Sequence, residues 1–415
     1  MTVNLSWNKN HPNGKIIVVF ALFFSALSLC AQDYGLMIRQ SPVLTGGETA
    51  TGKNTGAAAH VFSYTGTAVP WFAAPLGEQG DVYLSGGISA EYSDEAWKPV
   101  PEVYRFECIY NPNPDVCIEV GRVPFRENLS YVFAGLFDGA AARFNLGGGW
   151  LSAGIFYTGL LYKKTAYIVM GTADRENYYD KDIYFASRRL AFGIHWEKTN
   201  MFDTRNTLYL GGLGQFDLNG GDTKVHTQYL EGRLDIPLGN SFNLQTGGVV
   251  EVIEKNKHVS AAFALSADLQ WLPPGAWRDM FTLGGRFSSG AWNERTGAFL
   301  PITSQAQGKV LRPELSGIAL IQSSYTARFH EAFSANLSAA YFLRTDETTY
   351  SHPGMEASTR SPLLGGEIYG GFIWAPWSDL SVSAGGGVFF PQWGRYFEKD
   401  AGLSYRITLE AVFSF

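Results

Sequence analysis

Charge is scarce in this chain. Asp, Glu, Lys and Arg make up only 17% of its 415 residues, where a soluble domain carries about a quarter. A basic surplus is also missing: the net charge is −6 and the pI 5.7. With no basic face to neutralise phosphates, nucleic acid is excluded as a partner. Cysteine is nearly absent, with three residues in all. Cys108 and Cys117 have no His or Cys nearby to complete a metal site. Beyond residue 29 no uninterrupted apolar stretch reaches about 18 residues, so no transmembrane helix is expected. What remains is 46% hydrophobic residues, 15% aromatics, 47 glycines and a mean hydropathy of −0.06. That balance suits strands with lipid on one side and water on the other.

The N-terminus points to export. Lys9 and Lys15 lead into an uncharged run, 16–29 (IIVVFALFFSALSL). It is too short to span a membrane and fits a signal-peptide core. Cleavage at Ala31-Gln32 gives a signal peptide over 1–31 and a mature barrel over 32–415. Leu27-Ser28-Leu29-Cys30 offers a second reading, a loose lipobox with a lipid-anchored Cys30. After export, Cys108 and Cys117 flank turn chemistry, Asn111-Pro112-Asn113-Pro114-Asp115, and a disulfide between them is expected. Free thiols at neighbouring strand ends are the alternative.

Period-2 segments separated by turn signals fill the chain. In 258–271, Val259, Ala261, Phe263, Leu265, Ala267, Leu269 and Trp271 form one apolar face; Ser260, Ser266, Asp268 and Gln270 lie on the other. By the same register Ala264 faces inward water and should accept Arg at little cost, whereas Phe263 faces lipid. In 331–344 the apolar set is Phe333, Ala335, Leu337, Ala339, Tyr341 and Leu343. Most such segments run roughly 10–14 residues, against about 5–6 in soluble sheets, and a tilted membrane strand needs about 9–11.

Strands are expected near 35–43, 59–70, 81–93, 102–110, 115–123, 138–146, 149–160, 181–196, 204–217, 224–236, 240–253, 258–271, 279–291, 314–329, 331–345, 364–375, 379–391 and 402–415. Short connections alternate with long polar ones at 161–180, 292–313, 346–363 and 392–401. The fold class is therefore all-β, a transmembrane antiparallel barrel of about 18 strands, with 16 as the alternative if 35–43 is not a strand. Short turns, Phe415 and the 111–115 turn then share the periplasmic end.

From Tyr405, one face reads Ile407, Leu409, Ala411, Phe413 and Phe415. This ending resembles the C-terminal signature read by the outer-membrane assembly machinery, which implies that machinery as a partner through Phe413 and Phe415. The segment from Gly121-Arg122 through Asp138-Gly139 is too long and apolar for a solvated outer loop and is expected to fold into the barrel. Its Gly-Arg and Asp-Gly elements are similar to those of porin families that include alginate-export channels. The resemblance implies an 18-strand outer-membrane barrel, and only that architecture is carried over.

On the inner register lie Arg105, Glu107, Glu119, Arg143, Arg189, His195, Glu231, Arg233, Asp235, Glu251, Asp268, Arg286, Arg328, Arg344, Glu367, Arg406 and Glu410. These are the expected pore-lining residues. Both signs are present, so strong ion selectivity is not expected, though opposed rings can set a transverse field; pairing across the lumen is the bland alternative. Tyr209, Tyr229, Phe342, Tyr369 and Phe389 share the register and either stack on sugars or pack beneath an inserted loop. His258-Val259-Ser260 has the spacing of a phospholipase pair but the wrong facing, and the 174–182 segment (DRENYYDKD) lacks calcium-loop spacing. Gly147–Gly149 and Gly385–Gly387 precede no helix, so they are turns or close approaches. The expected function is passive or weakly selective diffusion of small hydrophilic solutes across the bacterial outer membrane, without cofactor or metal. A surface adhesive barrel is the rival reading and a barrel enzyme the third.

Overall fold

In the computed structural model, residues 32–47, 60–93, 96–201, 205–220, 224–256, 258–275, 277–303, 305–350, 360–398 and 401–415 are described. The expected signal peptide and Cys30 lie outside them. Eighteen antiparallel strands form one closed sheet: β1 (Asp33–Gly46), β2 (His60–Pro75), β3 (Gly80–Ser93), β4 (Ala96–Asn113), β5 (Val116–Arg126), β6 (Ala134–Leu146), β7 (Gly149–Tyr157), β8 (Arg189–Met201), β9 (Asn206–Asp217), β10 (Val225–Leu238), β11 (Phe242–Lys255), β12 (His258–Trp271), β13 (Met280–Ser288), β14 (Ile318–His330), β15 (Phe333–Arg344), β16 (Leu363–Trp377), β17 (Leu380–Phe390) and β18 (Ser404–Ser414).

Each strand pairs with its sequence neighbours, and β1 closes the ring by pairing with both β2 and β18. The Phe415 amide and carbonyl both bond to Leu36, so no edge is left at the chain end. The strand at the N-terminal end is therefore real, and the count is 18, not 16. Connections after the even-numbered strands are short. Gly147 and Gly148, both at positive φ, make a two-residue hairpin of the kind that only glycine enters cheaply. Connections after odd-numbered strands include the long ones, 158–188, 289–317, 345–362 and 391–403.

The outer face is apolar, as the alternation requires: Leu230, Val250, Leu265, Ile321, Leu337 and Ile407 are all exposed. Aromatic pairs ring both ends, among them Trp277–Phe329 and Phe413–Phe415 near the short turns and Phe263–Trp292 and Phe390–Trp393 near the long loops. Such girdles mark membrane interfaces on barrels. No described helix is long and apolar enough to cross a membrane.

Three expectations need correction. Residues 181–188 are not strand: β8 begins at Arg189, and the preceding loop holds two short helices, α1 (Lys163–Ala166) and α2 (Thr172–Tyr179). In 121–139 the two strands continue to Arg126 and resume at Ala134, so the infolded loop is only 127–133. Cys108 and Cys117 are both free. Cys108 pairs with Val120, on the outward face with Phe106 and Tyr110, whereas Cys117 shares the inward face with Glu119. Opposite faces of one sheet cannot meet in a disulfide. Mass spectrometry of native protein should find both thiols reduced, with Cys117 labelled by a polar maleimide and Cys108 only by a lipid-soluble one. A Cys108–Cys117 linked peptide would overturn this register.

Candidate functional site

The alternation that makes the outer wall apolar places every second polar side chain in the lumen. A hydrophobic core also lies there. Val123, Phe133, Phe137, Phe156, Phe299, Ile302, Val310, Leu315, Phe342 and Phe389 are all buried within one cluster. Its loop residues come from 127–133, 158–188, 289–317 and 391–403. The 289–317 stretch was expected to be a polar outer loop and instead gives Phe299, Ile302, Val310, Leu311 and Leu315 to this plug core.

Loops 127–133 and 289–317 bind each other. The Ile302 and Thr303 amides donate to Val132 O at 2.8 and 3.1 Å, and Thr303 Oγ1 accepts from the Ala134 amide at 2.9 Å. They also bind the wall, through carboxylates. Glu251 accepts from the Leu300 amide at 2.9 Å, and Tyr229 Oη donates to Leu300 O at 2.6 Å. Glu367 accepts from three successive amides, Lys309 at 2.7 Å, Val310 at 3.0 Å and Leu311 at 3.1 Å. Glu231 lies 3.1 Å from His195 Nδ1 and accepts from Asn128 Nδ2 at 3.2 Å, while Arg233 donates to Asn128 O at 3.0 Å. Burial makes the loss of any of these bonds costly, because the amide left behind finds no water.

Glu127, in the first loop, turns its carboxylate back onto the Tyr131 and Val132 amides. Burial, then the nearby Glu231 carboxylate, push its pKa up to about 8, against the opposing pull of those amide bonds. A carboxyl whose folded pKa is raised supports the docked loop below its ordinary value near 4.5 and loses that support as pH rises through about 8. The urea midpoint in lipid vesicles should therefore fall across that window, and Glu127→Gln should flatten the fall. An equal pH slope in the variant would remove Glu127 as its source.

The inner-register residues sort by what they hold. Arg189 binds Asp174 of α2, Asp217 and Val225 O. Arg286 donates to Gln307 Oε1 at 3.0 Å. Arg344 donates to Ser361 O and Glu347 O and lies 4.3 Å over the Tyr396 ring. With Glu251 and Glu367, these residues grip loops. Arg105–Glu107, Arg233–Asp235 and Glu410–Arg39 pair along the wall. Arg143 reaches Glu197 at 3.7 Å and stacks on Trp150; Glu119 has the Cys117 thiol at 3.8 Å. Arg328 bonds to Glu331 O at the turn rim, and one oxygen of Asp268 is buried without a partner. Among the inward aromatics, Tyr229, Phe342 and Phe389 lie in the plug core. Tyr369 lies over Gly385 and Gly387, where a Cβ would come within 2.0 and 2.6 Å of neighbouring atoms.

Ala264 was expected to meet water. It is fully buried, between Val249 and Ser288 in the ladder and within the plug core. The residues that sequence reasoning passed over are Glu127, Asn128, Lys309 and Arg312. The signal available for the last two was Phe299, Leu300, Ile302, Val310 and Leu311, too apolar for a solvated loop.

Lys309 and Arg312 are exposed while Val310 and Leu311 between them are buried. Lys309 lines a recess of about 210 Å³ with Thr326, Ser334, Asn336, Tyr369 and Thr408, and Arg312 lies within electrostatic reach of Arg406. Among the described residues, none of these three cations has a carboxylate partner. No group of His, Cys, Asp and Glu suited to a metal ion occurs among the described residues.

No protein-family model and no curated protein matches the chain. Solved structures do. Pseudomonas aeruginosa OpdQ superposes with a TM-score of 0.59 at 11% identity, covering 92% of this chain and 97% of that one. OccK9 (OpdG) from the same organism gives 0.61 at 10%, covering 92% and 98%. OpdK, solved with vanillate, gives 0.58 at 10%, also covering 92% and 98%. At such identities the likeness is one of fold: a closed barrel of the same extent.

Proposed function

We propose that this chain is a bacterial outer-membrane channel for small hydrophilic solutes, with a preference for anions at its constriction. One observation carries the reading. The wall acids Glu231, Glu251 and Glu367 are engaged by loop amides, while Lys309, Arg312 and Arg406 are left facing the lumen. The mixed sequence charge thus becomes a cationic surplus where the passage is narrow. Fixed charge at a constriction sets ion preference. Arg105, Glu107, Glu119, Arg143, Asp268 and Glu410 line the wider wall and shape the field along it.

The neighbour solved with vanillate, a small aromatic carboxylate, agrees with this reading. The resemblance to alginate-export channels supplies the architecture, and no polymer substrate is proposed. The barrel's partners are then membrane lipid and the solutes themselves. Single-channel recording in planar bilayers under a salt gradient tests the function. The expected result is a discrete conductance with an anion-favouring reversal potential; a folded barrel with no conductance would overturn it.

Export and assembly belong to the same proposal, with residues 1–31 as signal peptide and Phe413 and Phe415 as the assembly signal. Deleting Phe415 removes its two bonds to Leu36 at one end of the β1–β18 seam, together with its aromatic side chain. The variant should accumulate in the periplasm, and normal heat-modifiable barrel in the outer membrane would refute that signal.

A further inference from the structure

Glu367 stands apart from the other wall acids because it takes three consecutive backbone amides into one carboxylate. The segment it holds alternates in a telling way: Lys309 and Arg312 project into water, and Val310 and Leu311 are tucked away. Arg312 sits at φ 55°, a left-handed position uncommon for a side chain of its size. Gln307 N donates to Pro313 O at 2.8 Å and closes the segment into a tight ring. The approach is close enough to require glycine before it. A Cβ on Gly308 would stand 2.8 Å from the Phe342 ring and 3.0 Å from a Glu367 oxygen.

We infer that Glu367 is a positioning residue for ion preference: by gripping the 309–311 backbone it aims Lys309 and Arg312 at the lumen beside Arg406. This rests on the channel reading. Its consequence runs against simple charge counting. Removing an acid from a lumen ordinarily favours anions. Here the acid is buried with its oxygens occupied by amides, so its removal frees the loop and disperses the two cations.

The experiment is the anion-to-cation permeability ratio from reversal potentials of the wild type and Glu367→Gln in planar bilayers. The glutamine amide cannot accept three amides, and one of its heavy atoms is itself a donor. The ratio should fall by about twofold or more, and Glu367→Asp should recover part of it. An unchanged or raised ratio in Glu367→Gln would overturn the inference. Gly308→Val changes no charge, displaces the same segment and should lower the ratio in the same direction. It carries the test on its own should Glu367→Gln fail to fold, and an unchanged ratio there overturns the inference equally. A wild type that does not conduct refutes the channel itself, which separates the two failures.

Discussion

Replacing Arg189 with Leu should destabilise the barrel by about 3–5 kcal/mol, the cost of leaving buried charge without its partner. The side chain is 1% exposed and lies between Asp174 and Asp217, which are 1% and 6% exposed. Asp217 is 3.2 Å away, and the other guanidinium nitrogen donates to Val225 O at 2.9 Å. One cation therefore ties α2, the end of β9 and the start of β10. Asp174 also accepts from the Gly171 amide at 2.7 Å and Asp217 from the Asn219 amide at 2.9 Å, so neither carboxylate can turn away to water. Without Arg189 the two acids repel each other in a dry site. Urea unfolding in lipid vesicles measures the loss. Adding Asp174→Asn to Arg189→Leu should restore part of it, because one uncompensated charge is then gone. A single variant within about 0.5 kcal/mol of wild type, the range of ordinary surface changes, would mean that water reaches the site.

Strand positions were legible because the signal is local. A residue such as Leu265 announces lipid by its neighbours at every second position, and a turn such as Gly147-Gly148 announces itself by composition. The closure of β18 onto β1 followed from parity. The cysteines show how far the same signal reaches when it is used fully. With Glu107 and Glu119 both inward, Cys108 must face out and Cys117 in, so the register already excluded the bridge that turn chemistry suggested. What period 2 does not carry is the identity of the medium on the inner side. Glu251 and Glu367 read as groups facing water, and they face loop backbone. The loops come from far along the chain. Val132 and Ile302, which bond each other, are separated by eight strands, and no local pattern in either segment encodes that meeting. Only their surplus of apolar residues hinted at burial.

Neighbouring positions at the middle of β12 separate the two sides of the wall by their response to one substitution. Leu265 is 52% exposed on the outer face, and Arg there should cost about 2–4 kcal/mol, the price of a charge near the bilayer midplane. The lumen is untouched, so channels that do form should conduct as wild type. Ala264 has the opposite problem. It is fully buried, its ladder partners Val249 and Ser288 are buried with it, and Phe299 and Ile302 belong to the same core. No space exists there for a guanidinium, and burying one unpaired is worse than overpacking alone. The wall strand cannot yield, since its amides and carbonyls are bonded on both sides. The 289–317 loop is the part that can yield, because its buried stretch from Phe299 onward lies in no strand ladder and is held by separate bonds, among them Leu300 N to Glu251, Tyr229 to Leu300 O, Ile302 and Thr303 N to Val132 O, Arg286 to Gln307 and the Glu367 grip. Ala264→Arg should therefore expel that loop from its seat and raise single-channel conductance, with the Arg side chain reaching the water so admitted. Urea unfolding and bilayer recording on both variants decide the matter. An unaltered conductance in Ala264→Arg would mean that the loop does not narrow the passage, and equal conductance changes at both sites would overturn the facing of β12.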